Sequence, residues 1–378
     1  MKINLDKTII NLICLFPITV ILQTYINIPN RILFLLLFAA LITVFMIDTN
    51  RVKTNRSKFK ALIMIAIIGV LVIYDYYITG ESLINFNDVM YLPFWVIFLK
   101  YLTIKYNTYN KILGRKKKII KFSIFISNFL LAFFYIMDRS FFFNGRHRLA
   151  SGAFMLVVET YFYIKKTKDK RYWLAMLLPS VAILNSTSRT YLIMLAIFLI
   201  IAYYKEFKHK EKFYLTIVPL IFIMVIIVMH SGMMKYFQPE QVGNFDYIGS
   251  FTSGRTVFWA MDLEIFKNAS LFHKIAGNGY NLVYYVNKRT IDAYIYAHND
   301  FLNILLANGI IGLIVYLMAF VGFIIRSGKM QNIGARALIL VVFLFMFNAF
   351  FNGQYNYPAS TLAMVFVFSV LGKEREEV

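Results

Sequence analysis

The sequence lacks most of the features that mark soluble enzymes. Only 16% of its 378 residues are charged, whereas soluble domains carry about 25%. The single cysteine, Cys14, excludes a disulfide framework and a metal site built from cysteines. There is no P-loop, no His-Glu-x-x-His and no Gly-x-Ser-x-Gly. The acidic residues expected outside the membrane form no Asp-x-Asp pair, so we expect chemistry without a metal ion or a cofactor.

Apolar residues, in contrast, are abundant. They make up 60% of the chain, more than one soluble core can bury, because cores stop growing beyond about 250–300 residues. Charge-poor runs repeatedly reach the ~17–25 residues that cross a bilayer. We therefore predict an all-α polytopic membrane protein, one integral membrane domain over residues 1–378, with about twelve spans. The predicted spans are 8–26, 32–47, 61–79, 89–104, 119–137, 149–164, 172–187, 190–204, 213–230, 300–325, 335–350 and 357–371.

The basic residues predict an orientation rather than a nucleic-acid partner. The formal net charge is +21, but Lys and Arg occur in short bursts between apolar runs instead of clustering on one domain. The densest bursts fall in alternate connections, which the positive-inside rule assigns to the cytoplasm. Both termini are then expected to be cytoplasmic, and no nucleic-acid partner is expected.

One large connection is left outside by this orientation, over residues 231–299 between spans 9 and 10. Its length and polarity predict a functional loop. Within it, residues 255–267 predict an amphipathic helix that lies on the membrane surface or on the bundle. The predicted apolar face contains Phe258, Met261 and Ile265, widened by Trp259, Leu263 and Phe266, with Asp262 and Glu264 away from its centre.

Three residues on this outer side stand at predicted helix starts. Arg189 opens the eighth span, Arg255 opens the loop helix after the N-cap candidate Ser253, and His298 comes just before the tenth span. An Arg in a first turn faces the positive end of the helix dipole, which is unfavourable unless an anion is shared. A neutral imidazole can accept a proton near pH 7. Together the three residues predict an outer anion-binding pocket with one base.

Each residue also has a simpler interpretation. Arg189 suits an interfacial side chain that reaches lipid headgroups, Arg255 suits a loop residue paired with Asp262 or Glu264, and His298 suits a helix cap. Glu159 lies well inside a predicted span, where a polar contact or ion pair between helices is the simpler interpretation.

Three stretches, in order, resemble one known family. They are Thr187-Ser188-Arg189-Thr190, then Gly254 to Trp259 followed by Gly277-Asn278-Gly279, and His298-Asn299-Asp300-Phe301-Leu302 through Gly309 and Gly312; a weaker match is Arg148 to Gly152. These segments resemble the bacterial O-antigen ligase and polymerase superfamily over about residues 140–325. Where that family often has Glu-x-Gly, this chain has Ala307-Asn308-Gly309.

The resemblance implies a GT-C-like membrane glycosyltransferase in the bacterial cytoplasmic membrane, acting on glycans linked to undecaprenyl diphosphate. It implies that His298 is the base, that Arg189 and Arg255 bind the donor diphosphate, and that the reaction inverts the anomeric carbon without a metal. We expect Ser188, Arg148, Asn299 and Ser253 to contact the substrate beside them.

Three functions remain open at this point. The first is a polymerase of lipid-linked repeat units that builds O-antigen or capsule, with a chain-length regulator and a flippase as possible partners. The second is a ligase that transfers the finished glycan to lipid A–core or another acceptor. The third is a precursor transporter or flippase without covalent chemistry, which predicts ionisable groups at mid-membrane rather than at the outer rim.

Overall fold

The computed structural model describes part of the chain, and that part is helical. The described residues are 5–26, 70, 91–142, 146–186, 188–203, 255–291, 296–329, 333–354 and 357–371, and no strand occurs among them. The predicted spans 32–47 (all of it), 61–79 (except residue 70) and 213–230 (all of it) lie outside these residues, as does Ser253.

The helices follow most of the predicted spans. In chain order they are α1 (Leu5–Ile26), α2 (Tyr91–Gly114), α3 (Lys117–Met137), α4 (Arg146–Thr167), α5 (Leu177–Asn185), α6 (Arg189–Tyr203), α7 (Arg255–Asn268), α8 (Leu271–Ala276), α9 (Tyr280–Ile291), α10 (Asp300–Lys329), α11 (Ala335–Phe351) and α12 (Pro358–Leu371). Helices α1, α3 and α10 are long and apolar enough to cross a membrane, and α6, α11 and α12 are shorter apolar helices. The chain is thus consistent with a helical membrane protein, while the number of spans stays a prediction.

Helix α4 lies at the centre of the described bundle. Every residue from 149 to 164 is buried, and the helix packs against α1, α3, α5, α6 and α12. This burial is expected, because a helix that is apolar on all sides is surrounded by other elements on all sides. Its first turn, Arg146-His147-Arg148, is a polar end next to this buried stretch.

The predicted seventh span is not one continuous α-helix. A 3₁₀-helix covers Lys170–Met176, and α5 follows it. The Asp169 side chain accepts a hydrogen bond from the backbone N–H of Arg171 at the start of the 3₁₀ turn. Pro179 falls in the first turn of α5, where its missing N–H costs no hydrogen bond. This segment therefore changes helix type instead of crossing as a single rod.

Helix α10, predicted as a simple span over 300–325, bends sharply at Gly309. Gly309 has φ 66° and ψ −168°, which no helix contains. The Tyr316 hydroxyl lies 3.5 Å from Asp300 Oδ2, although these residues would be about 24 Å apart along a straight helix. Phe301 also contacts the Tyr316 ring, with centroids 6.0 Å apart. The bend folds residues 300–308 back against the rest of the helix.

A glycine loop stabilises the bend. The backbone N–H of Asn278 donates to the Leu306 carbonyl oxygen (2.8 Å), and that of Gly279 donates to Ala307 (3.1 Å). These bonds satisfy carbonyl groups that the interrupted helix leaves without partners. Asn308, which stands near the position of the family's Glu, accepts a hydrogen bond from the Tyr280 hydroxyl. The loop between α8 and α9 is therefore docked on the break in α10.

Glu159 makes the polar contact between helices that its position suggested. The Ser123 hydroxyl of α3 donates to Glu159 Oε2 of α4 at 3.2 Å, and both residues are fully buried. The second carboxyl oxygen, Oε1, has no hydrogen-bond partner in the described part of the chain. This contact joins α3 to α4 below the polar end of α4.

The loop at Gly277 lies against the bend of α10, so we expect a methyl group added at Gly277 to destabilise the protein strongly. A Cβ at Gly277 would lie 2.2 Å from the Ala307 carbonyl oxygen, and Gly277 has φ 91°. Gly277→Ala should therefore lower the free energy of unfolding by at least about 2 kcal/mol, measured as a lower melting temperature of the purified protein. Gly322→Ala is the control, because a Cβ there meets nothing within 4 Å. Equal melting temperatures for the two variants would contradict the close contact.

Candidate active site

His298 precedes α10 in a backbone conformation that side chains rarely adopt. Its φ is 52°, in the left-handed region that favours glycine. Such a conformation costs about 1–3 kcal/mol and persists where surrounding contacts impose it, most often at functional sites.

Two hydrogen bonds fix the chain just before His298. The Tyr296 hydroxyl donates to the Asn352 carbonyl oxygen at 2.7 Å. The indole Nε1 of Trp259 donates to the Ala297 carbonyl oxygen at 2.6 Å. The loop helix α7 and the end of α11 thus both hold the approach to the imidazole.

Two more contacts fix the chain just after it. Asn299 Oδ1 accepts from the backbone N–H groups of Phe301 (3.0 Å) and Leu302 (3.2 Å), so Asn299 caps α10. Asp300 Oδ2 accepts from the backbone N–H of Gln354 at 2.9 Å. The Asn299 carboxamide oxygen is thus engaged in capping; contact of Asn299 with substrate stays a prediction.

Positive groups surround the His298 imidazole. Burial, together with the nearby Arg255 and His147, lowers the pKa of His298 from 6.5 to about 3. An imidazole with this pKa is neutral at physiological pH, which is the protonation state that a general base requires. The Tyr296 ring packs on it, with centroids 4.2 Å apart.

Two guanidinium groups meet at Tyr357. Arg148, in the first turn of α4, and Arg255, the first residue of α7, both lie within electrostatic range of Tyr357. Burial lowers the pKa of Arg255, while Tyr296 and Tyr357 oppose this shift. Across the described ranges, no carboxylate forms an ion pair with Arg255. The alternative of a loop Arg paired with Asp262 or Glu264 is therefore wrong.

The second histidine connects α4 to the start of α6. His147 Nδ1 and the Ser188 hydroxyl form a hydrogen bond at 2.7 Å, and Ser188 is buried. Arg189 opens α6, as predicted, with a partly exposed side chain. The next residue, Thr190, donates to Asn352 Oδ1 at 3.3 Å. Arg189 thus lies between Ser188, which is hydrogen-bonded to His147, and Thr190, which is hydrogen-bonded to Asn352.

We name His147, Arg148, Arg255, His298 and Tyr357 the basic cluster. The structure brings these five side chains together from α4, α7 and the segments before α10 and α12. The imidazole of His147 packs beside the Tyr357 ring, with centroids 5.9 Å apart. Of the predicted site residues, Arg148, Arg255 and His298 belong to the cluster, and Ser188 binds one of its members.

A buried polar network fixes the wall behind the basic cluster. The Tyr191 hydroxyl donates to Asn348 Oδ1 (3.2 Å), and Asn348 Nδ2 donates to Ser360 Oγ (2.9 Å). Asn352 Nδ2 also donates to Asn348 Oδ1 (3.4 Å), and Ser360 Oγ donates to the Tyr357 carbonyl oxygen (2.9 Å). Because all these residues except Tyr357 are fully or almost fully buried, the network holds α6, α11 and α12 in register.

Sequence reasoning missed His147 and Tyr357. The signal for His147 was present, since Arg146-His147-Arg148 is a run of three basic residue types on the predicted outer side, where few such residues are expected. Tyr357 gave no signal, because it is one of 26 tyrosines and its partners come from distant parts of the chain.

The loop helix is confirmed over Arg255–Asn268, and Ile265 and Phe266 of its predicted apolar face are packed, but the prediction that Asp262 lies away from the buried side is wrong. Met261 and Leu263 are exposed, whereas Asp262 is fully buried. The reason is the packing of α7 against α9 and α10. The residues at this contact are Ile265, Phe266, Val283, Ala297, Leu302 and Leu306.

Asp262 is a buried acid without a hydrogen-bond partner among the residues that the structure describes. Neither carboxyl oxygen makes a hydrogen bond within the described ranges. Burial raises the pKa of Asp262 from 3.8 to about 7, because an apolar surrounding disfavours the charged form.

Among the described residues, no group of three or more His, Cys, Asp or Glu side chains lies close enough together to hold a metal ion.

Comparison with known proteins supports the family resemblance that the short motifs indicated. Residues 174–317 match the family model described as O-antigen ligase. No curated protein and no solved structure matches the chain. The matched segment contains Arg189, Arg255 and His298, while His147, Arg148 and Tyr357 lie outside it.

Asp262 predicts an unusual dependence of stability on pH. As pH rises from about 4 to about 7, the carboxyl ionises in the unfolded chain but not in the folded one. Stability should therefore fall over this window, by about 4 kcal/mol if about three pKa units separate the two states. Melting temperatures measured between pH 4 and pH 8 should fall for the wild type.

Asp262→Asn should remove this fall and be the more stable protein at pH 8. Glu264→Gln, an exposed carboxylate on the same helix, is the matched control and should keep the wild-type slope. If Asp262→Asn kept that slope as well, Asp262 would not be the titrating group.

Proposed function

We propose that the chain, whose residues 174–317 match the O-antigen ligase family model, is a membrane enzyme that joins lipid-linked glycans. The donor is an oligosaccharide on undecaprenyl diphosphate, and the product is a surface polysaccharide such as O-antigen or capsule. The reaction takes place at the outer face of the bacterial cytoplasmic membrane, with both chain termini in the cytoplasm.

The observation that carries this proposal is the chemistry of the basic cluster. Arg255 is partly buried and has no carboxylate ion pair in the described part of the chain, and Arg148 and His147 lie near it around Tyr357. Like charges held together at low solvent exposure repel one another unless an anion binds between them. A diphosphate supplies that anion, and guanidinium groups bind its oxygens in pairs.

The proposed reaction uses the neutral His298. A hydroxyl group of the acceptor sugar gives its proton to the imidazole, and its oxygen attacks the anomeric carbon of the donor. The bond from that carbon to the diphosphate oxygen breaks, and undecaprenyl diphosphate leaves with the electron pair. Attack from the face opposite to the leaving group inverts the anomeric carbon. Arg255, Arg148 and Arg189 stabilise the charge that develops on the leaving diphosphate.

The depth of the site suits a lipid-linked donor. The polyprenyl tail lies in the bilayer, so its diphosphate stays near the headgroups. After its bend at Gly309, α10 continues as an apolar helix, and its folded-back start holds Asp300 3.5 Å from the Tyr316 hydroxyl. His298, two residues before Asp300, therefore lies beside an apolar helix, where a lipid-linked diphosphate can approach it while the polyprenyl tail stays in the bilayer.

A ligase is the second candidate, and the description of the matched family favours it. A ligase and a polymerase use the same donor and the same diphosphate chemistry. They differ in the acceptor, which is lipid A–core for the ligase and another lipid-linked repeat unit for the polymerase. A chain-length regulator and a flippase are expected partners of the polymerase.

The proposal predicts polymer formation by the purified protein in liposomes. Lipid-linked repeat units alone should yield a ladder of products on a gel. His298→Ala should lower the rate about 10²–10⁴-fold through loss of the base, and Arg255→Gln about 10²–10³-fold. Arg171→Gln is the control, because Arg171 is an exposed surface residue paired with Asp169, and it should keep full activity. EDTA should leave the rate unchanged.

Other outcomes separate the alternatives. Transfer to lipid A–core without a ladder supports the ligase instead of the polymerase. Movement of lipid-linked units across the membrane with no new glycosidic bond means that the protein is a transporter. Loss of activity in EDTA contradicts the metal-free reaction.

The depressed pKa of His298 predicts the acid side of the pH–rate profile. Because this pKa is about 3, the imidazole stays unprotonated as pH falls from 8 to 5, and it causes no loss of kcat/KM in that range. Arg255→Gln removes one cause of the depression, so its His298 pKa rises and the variant loses rate at a higher pH. Because burial is the larger cause and persists in the variant, the ratio of variant to wild-type kcat/KM should stay constant from pH 8 to pH 5 and fall only as pH approaches the raised pKa. A wild-type kcat/KM that falls between pH 8 and pH 5 with the titration of an ordinary imidazole would contradict the depressed pKa of His298.

A further inference from the structure

Helix α8 exposes an unusual amount of apolar surface for its length. Of its six residues, Leu271 is 73% exposed, Phe272 61% and Ile275 41%. Contiguous exposed apolar side chains on a folded protein mark a surface that contacts a partner or a membrane.

This exposure does not come from a loosely attached segment. The Ser270 hydroxyl accepts from the backbone N–H of His273 (3.3 Å) and caps the helix, and the backbone N–H of Gly277 donates to the His273 carbonyl oxygen (2.8 Å) at its end. The Ile275 carbonyl oxygen lies against Gly309, where a Cβ would approach it to 2.2 Å. Helix α8 is thus fixed on the bend of α10 with its apolar side chains pointing away.

The exposed surface of α8 continues into that of α10. Directly after Gly309, α10 shows a run of exposed apolar residues along a helix that is long and apolar enough to cross a membrane: Ile310, Ile311, Ile314, Val315, Met318, Val321 and Ile325. Because Ile275 contacts Gly309, α8 lies where this lipid-facing stripe begins. A helix that is apolar in this way faces lipid, so we expect the start of the stripe to lie near the boundary between headgroups and acyl chains.

The charges of α8 agree with this position. His273 and Lys274 stand among its apolar residues, and Lys267 is in the last turn of α7 just before it. Basic side chains beside apolar ones are typical of helices that lie in the interface of anionic bilayers, where the charged ends reach the headgroups.

We propose that α8 is a membrane-interface anchor that inserts Leu271, Phe272 and Ile275 into the leaflet on the site's side, among anionic phospholipids. Through the loop of Gly277 to Gly279, the anchor is joined to the folded-back half of α10, which begins just after His298. The anchor thus fixes the height of His298 relative to the headgroups. The claim that this height suits a lipid-linked diphosphate rests on the proposed function, whereas the claim that α8 is anchored in the membrane does not.

Spin labels test the anchor in the full-length protein. In a Cys14→Ser background, labels at Leu271→Cys and separately at Phe272→Cys are measured in nanodiscs that contain phosphatidylglycerol. Power saturation compares access of oxygen, which concentrates in lipid, with access of a water-soluble nickel chelate. Met318→Cys is the lipid-facing reference, and Arg139→Cys, on an exposed turn, is the aqueous reference.

The proposal expects both α8 labels to favour oxygen over nickel, as the label at Met318 does. Nickel access equal to that at Arg139 would overturn it, because α8 would then face water. An immobile label that neither reagent reaches would also overturn it, because protein would then cover α8. Neither overturning result bears on glycan transfer, which the ladder assay measures separately.

Discussion

The arrangement of positive groups around His298 and Tyr357 is the constraint on which the rest of the site depends. Arg255, Arg148 and His147 approach one another at partly buried positions, where their repulsion is screened less than in water. Among the residues that the structure describes, no carboxylate forms an ion pair with Arg255 in this arrangement. The arrangement also keeps the imidazole of His298 neutral. Burial, which is the larger cause of the lowered pKa of His298, and the local positive potential thus act together to prepare both an anion site and a base.

The backbone maintains this geometry against strain. The left-handed conformation of His298 persists because the residues on both sides of it are hydrogen-bonded to α7 and to the segment after α11. The bend at Gly309 brings the start of α10 back to Tyr316, where these partners are within reach. A straight α10 would place the imidazole far from them. The glycine loop after α8 therefore matters to the site although none of its residues touches it.

Local signals in the sequence predicted the helix starts and the residues at them. Arg189 and Arg255 are conspicuous because the helix dipole disfavours them there, and the structure begins α6 and α7 at these residues. The bend in α10 and the position of Tyr357 depend on contacts between distant segments, which short-range patterns do not encode. The buried face of α7 was mispredicted because packing on α9 and α10, rather than hydrophobicity alone, decides that Asp262 faces inward.

Binding of a prenyl diphosphate to the purified protein tests the central claim most directly, because it needs no acceptor and no turnover. Isothermal titration with a short-chain prenyl diphosphate should show binding that weakens with salt. The same prenyl alcohol without phosphates should bind far less. Arg255→Gln and Arg148→Gln should each weaken the diphosphate affinity, and Arg171→Gln should not. Equal affinity for the diphosphate and the alcohol, or unchanged affinity in both cluster variants, would contradict the basic cluster as the diphosphate site.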